Sequence, residues 1–111
     1  AKNNYIQTTL AVNKNNDVLI GFQEAGADMF VSPRAALHRA GDAPGSVRGI
    51  LKFGDGQGAS PHKPWGDYSG STVDMGNMTD LWTIQSITDP KGGGDTVILQ
   101  IPIQPEKANS K

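Results

Sequence analysis

The chain has 111 residues and no cysteine. That excludes disulfides, thiolate metal sites and cysteine nucleophiles, and it is compatible with a bacterial exported protein. An excess of one charge is also missing. Ten Lys and Arg stand against eleven Asp and Glu, for a net charge of −1. The basic residues are scattered, so the clustered Lys and Arg that nucleic-acid binding draws on are absent. No apolar run approaches the roughly 20 residues of a membrane span. Hydrophobic residues (36%) and charged residues (19%) both run low, and Gly, Ser, Thr, Asn, Asp and Pro make up the difference. That composition suits many turns and few long helices. The start, Ala1-Lys2-Asn3-Asn4, is polar, and no signal-peptide pattern is visible in it. Signal cleavage would leave such a start, and so would a fragment.

The length suits one domain with a modest core and little stability to spare. Short apolar runs separated by turn residues predict seven strands. Ile6 to Val12 leads into the turn cluster Asn13-Lys14-Asn15-Asn16-Asp17, and Val18 to Glu24 follows with Val18, Ile20 and Phe22 on one face. The pair reads as a hairpin in which Asn15, Asn16 and Asp17 tolerate left-handed backbone angles. Met29 to Arg39 is ambiguous: Ser32 as N-cap, Pro33 as first helical residue and Gly41 as stop form a helix signal barely two turns long. Val47 to Phe53 reads as a strand, and a Gly- and Pro-rich loop runs from Gly54 to Gly66. Tyr68 to Asp74, Leu81 to Thr88 and Thr96 to Ile103 complete the set, with Val97, Leu99, Ile101 and Ile103 sharing a face. Asp89-Pro90 and Gly92-Gly93-Gly94 make the last turn.

A weak internal repeat relates TLAVNKNNDVLIGFQE to STVDMGNMTDLWTIQS. Each is a β-branched run, a polar turn, an Asp and an alternating strand. Val12 matches Val73 and Asp17 matches Asp80. Two such units joined by a loop need partners to bury both faces.

These segments resemble the C-terminal blades of sialidase-like (BNR-type) β-propeller proteins. Ala11-Val12-Asn13, Asp17-Val18 and Ile20-Gly21 match a hairpin of that family; Trp65 to Ser69 match its W-G-D-Y-S inner strand, and Asp80 to Gln85 a following strand. The likeness spans roughly Tyr5 to Ile103. Asn16 stands where the family has Gly, Ser86 where it has Glu, and no Asp-box is present. The resemblance implies that Phe30 to Arg39 is a strand. It also implies two four-stranded antiparallel blades, the second incomplete, whereas a whole propeller has four to eight. The corresponding division is a flexible N-terminus over 1–4, a first blade over 5–54, a loop over 55–66, a second, partial blade over 67–104 and a flexible tail over 105–111.

Sialidases use a tyrosine nucleophile activated by a glutamate, with three arginines on the substrate carboxylate. The resemblance therefore implies Tyr68 as candidate nucleophile, Asp67 beside it, Glu24 as the acid of the neighbouring strands, and Arg34, Arg39 and Arg48 as the clamp. An ordinary packing role competes and is preferred. Trp65 then packs under the sheet, Asp67 accepts backbone N–H groups, and Tyr68 covers apolar surface. Trp65, Tyr68 and Trp82 are the candidates for stacking on a sugar. His38 and His62 lack ligand spacing, so no metal is expected. The oxygen-rich NKNND and DPKGGGD segments lack a calcium loop's spacing and read as hairpin turns. GDGQG is not followed by the Lys-Ser/Thr of a phosphate loop.

The expectation is an all-β, non-catalytic structural or interaction module, exported to an extracellular or periplasmic setting and without a cofactor. Its partners are other protein chains: identical copies or the remaining propeller blades. The alternatives are a fragment of a sialidase-type glycoside hydrolase and a lectin-like module that takes carbohydrate.

Overall fold

Alternating side chains over Val18–Gly26 place Leu19, Gly21 and Gln23 on one side of a strand and Val18, Ile20 and Phe22 on the other. Around that strand the chain builds the first of two sheets. The computed structural model describes residues 3–59 and 69–103. Every element among them is a strand: β1 (Asn4–Val12), β2 (Val18–Gly26), β3 (Met29–His38), β4 (Ile50–Leu51), β5 (Gly70–Val73), β6 (Leu81–Thr88) and β7 (Gly94–Ile101). They form two antiparallel sheets, one of four strands in the order β1-β2-β3-β4 and one of three in the order β5-β6-β7.

The β1–β2 hairpin closes where Val12 pairs with Val18. Asn16 takes a φ of 65° in the turn, as its sequence suggests. The Asn13 Oδ1 accepts the N–H groups of Asn15 and Asp17. Near the other end the register shifts between Ile6 and Thr9, and Gln7 absorbs the bulge at a φ of 54°. Asn4 lies within β1, and Asn3 bonds to Glu24, so the strand starts earlier than the sequence pattern suggests.

The stretch with a local helix signal is strand β3, as the family resemblance implies. It pairs along β2 from Val18 with His38 to Gly26 with Met29. Pro33, Ala35 and Leu37 face the second sheet, while Arg34 and Ala36 face away. Pairing along a whole strand outweighs the propensity of two helical turns. Pro33 lies outside the short stretch that pairs with β4, where a missing N–H is compatible with the ladder.

Val47 to Phe53 yields only the two-residue β4. The Arg48 N–H donates to the Leu37 carbonyl, and Gly49 at a φ of 76° breaks the extended run. The glycine-rich segment that follows is pinned. The Gln57 N–H donates to the Thr88 carbonyl, the Gly58 N–H to the Thr88 hydroxyl, and the Gly56 N–H to the Ser32 hydroxyl. A side chain at Gly58 would meet the Asp89 carbonyl at 2.6 Å.

In the second sheet β5 runs, among the described residues, from Gly70 to Val73, and it ends there because Asp74 already turns. Its N–H donates to the Asp80 carbonyl and its Oδ1 accepts from the Gly76 N–H. β7 stops at Ile101, before Pro102, which has no N–H to give. Val97, Leu99 and Ile101 pair with Gln85, Thr83 and Leu81 and share their face.

The sheets pack face to face. Ala11, Leu19, Ala35, Leu81 and Ile103 form the buried core between them, with Leu37, Phe53, Val73, Leu99 and Ile101 packed against it. Leu19 and Leu81 are wholly buried. Each such side chain contributes about 2 kcal/mol of transfer free energy.

Candidate functional site

The candidate residues separate into three groups. The first is a buried polar network between the sheets. Gln23 Nε2 donates to Gln85 Oε1 at 2.9 Å and to the Ser86 carbonyl. Gln85 Nε2 donates to the Thr83 hydroxyl, which also accepts from Ser71. The Ser71 and Thr9 hydroxyls share a bond of 2.6 Å. At one end of the stack Asn13 Nδ2 donates to the Thr79 carbonyl, and the Lys14 N–H to the Met78 carbonyl, tying the two hairpin turns together. Sequence reasoning missed Gln23, Gln85 and Asn13. The available signal was phase: Gln23 repeats with Leu19 and Gly21, and Gln85 with Leu81 and Thr83.

The second group is ionic. Arg34 is 3% exposed and fully engaged. Its Nε donates to Glu24 Oε1 at 2.8 Å, Nη1 to the Pro33 and Gly54 carbonyls, and Nη2 to Asp55. Glu24 also accepts from Asn3. That bond and the Arg34 guanidinium hold the Glu24 carboxyl below its usual range. Arg39 Nε donates to buried Asp17 Oδ1 at 2.9 Å. Burial pushes the Asp17 carboxyl up, but bonds from Asn13, the Ala40 N–H and Arg39 outweigh it and the net shift is down. Arg48 grips Asp42 through two nitrogens, at 2.8 and 2.7 Å. Asp42 is lowered by Arg48 first and by the Arg39 N–H second. Arg39 and Arg48 line one polar hollow with Asp17 and Asp42, and Arg34 lines another with Glu24 and Lys52. The three arginines therefore face two spaces, each already holding a carboxylate.

The third group is apolar. Trp82 lies on the outer face of the three-stranded sheet, and its indole N–H donates to Asp74 at 3.2 Å. Trp82, Ile84, Ile98 and Gly70 line an open groove of about 630 Å³ beside it. On the outer face of the other sheet Tyr5 meets Phe22 edge to face at 5.3 Å, and Leu10, Val12 and Ile50 are exposed.

Trp65, Asp67, Tyr68 and His62 lie outside the described residues. His38 Nδ1 lies 2.6 Å from the Ser46 carbonyl. Asp89 Oδ1 accepts the Lys91 and Gly93 N–H groups, so the oxygens of this turn serve the turn itself. No described helix is long and apolar enough to cross a membrane.

No protein-family model matches the chain, no curated protein matches it, and no solved structure matches it.

Proposed function

We propose that the chain is a non-catalytic interaction module, a pair of propeller-type blades completed by further sheets packed on its outer faces. One observation carries this reading: each sheet is buried on the side facing the other and holds large apolar side chains on its far side. Leu10 is 61% exposed on one outer face and Ile98 60% exposed on the other. A free-standing sandwich keeps its outer faces polar, whereas a member of a stack needs both faces apolar. The resemblance to exported bacterial sialidase-like propellers supports an extracellular or periplasmic setting.

The arginines favour this reading over a hydrolase. A carboxylate clamp leaves guanidinium donors open to the substrate. Here Arg34, Arg39 and Arg48 are each committed to Asp or Glu.

The test is a fluorogenic sialoside assay and a glycan array on the 111-residue chain and on Tyr68→Phe. The expected result is no turnover above buffer and no glycan bound. Turnover abolished by Tyr68→Phe would overturn the proposal in favour of a hydrolase. Glycan binding lost on Trp65→Ala or Trp82→Ala would overturn it in favour of a lectin.

A further inference from the structure

The two sheets are built on equivalent hairpins. Val12 pairs with Val18 at the end of one and Val73 with Leu81 at the end of the other. Next to each pair the turn closes in the same way, Asn13 N–H to the Asp17 carbonyl and Asp74 N–H to the Asp80 carbonyl. Val12 therefore corresponds to Val73, and Val18 to Leu81.

These equivalent positions lie on opposite sides of the junction. Val12 is 53% exposed on the outer face of the four-stranded sheet, whereas Val73 packs against the core between the sheets. Leu19 is wholly buried in that core, and its counterpart Trp82 lies on the outer face of the three-stranded sheet. The existing junction is thus front against back. The front of the three-stranded sheet meets the back of the four-stranded one. One front, carrying Leu10, Val12, Val18 and Ile20, and one back, carrying Trp82, Ile84 and Ile98, stay open.

We propose that these two open faces bind each other between copies of this chain, head to tail. This rests on the module reading above and names its partner. The open faces are the counterparts of two faces the chain already joins, so a second copy supplies the matching surface without a foreign partner. Their shapes agree with this. The back has an apolar groove lined in part by Gly70, where an added side chain would meet, among the described residues, only Ile84, at 3.7 Å. The front offers projecting Leu10 and Val12. Charge does not oppose the contact: at the front Arg34 pairs with Glu24 and Asp55, with Lys52 beside them, and at the back Asp74, which lines the groove, accepts the Trp82 indole N–H. A head-to-tail contact closes into a ring or propagates, according to its rotation.

Sedimentation and native mass spectrometry of the 111-residue chain test the proposal, with Leu10→Lys blocking the front and Ile98→Lys blocking the back. Both sites are exposed, so both variants are expected to fold, as checked by circular dichroism. Val12→Glu and Ile84→Glu serve as second variants. Wild type is expected above monomer mass, and each variant alone as a monomer. An equimolar mixture of a front and a back variant should give a one-to-one heterodimer and nothing larger. A monomeric wild type overturns the inference, as does a mixture that stays monomeric or a single variant that keeps the wild-type mass. A monomeric wild type without sialoside turnover leaves the module reading standing; turnover removes that reading whatever the mass.

Discussion

Gln23 and Gln85 meet between the two sheets, with one side-chain amide donating to the other at 2.9 Å in a fully buried setting. Buried amides without partners are costly, so this pair fixes how the sheets align. Gln85→Leu removes the acceptor for Gln23 and the donor to Thr83. It should cost about 1–3 kcal/mol in urea unfolding. Gln23→Leu should cost a similar amount. The double variant should cost clearly less than the sum, because no orphaned amide remains. Additive losses would show that the two side chains act independently.

Arg34 makes a different demand. It reaches Glu24, Asp55 and two carbonyls with a planar fork, which a lysine ammonium does not reproduce. Arg34→Lys keeps the charge and should still destabilise by about 2–3 kcal/mol. Arg48→Lys also breaks a two-nitrogen grip, but its side chain is about half exposed, so it should cost about 1 kcal/mol or less. Equal losses at the two positions would contradict this account of Arg34.

Acid should weaken the fold by a definable route. The carboxyls of Asp17 and Glu24 are depressed in the folded chain. Their stabilisation is complete above the unfolded values near pH 4 and is lost as pH falls through the lower folded values. The urea midpoint should therefore hold from pH 7 to about 5 and fall below about pH 4. Asp17→Asn should lower stability at pH 7 by about 2–4 kcal/mol, since it removes the buried carboxylate that holds the half-buried Arg39 guanidinium. It should also flatten the acid decline. An unchanged acid slope in Asp17→Asn would mean that this carboxyl does not drive the loss.

The sequence made the strands and the repeat legible, because alternation and turn chemistry are local. Val18, Ile20 and Phe22 do share a face, and Val12 and Val73 do occupy equivalent places. Which face looks inward was not legible. Apolar side chains line both sides of these sheets, and the inner side of β2 is made of Leu19, Gly21 and Gln23, a weaker apolar signal than the outer one. The partners of Arg34 and Asp17 were equally hidden. Asp55 and Arg39 lie more than twenty residues away from them, and only the packed sheets bring them together. The local helix signal at Ser32 to Gly41 failed for the same reason, since the pairing of β3 with β2 is a tertiary fact.

Gly21 tests whether the close approach of the sheets is required. It sits between Leu19 and Gln23 on the inner side of β2. A Cβ built there would strike the Gln85 amide and the Thr83 hydroxyl, and would lie 2.9 Å from the Thr9 hydroxyl. These groups belong to the buried network, so they cannot retreat without breaking hydrogen bonds. Gly21→Ala should therefore destabilise by about 1–3 kcal/mol, although alanine suits a strand backbone at least as well as glycine. Gly94 also lies in a strand, and an added side chain there meets nothing within 4 Å. Gly94→Ala should be neutral or slightly stabilising. Paired urea denaturation curves decide the matter. If Gly21→Ala matched Gly94→Ala, the sheets would have room to spare, and the network between them would be looser than its distances indicate.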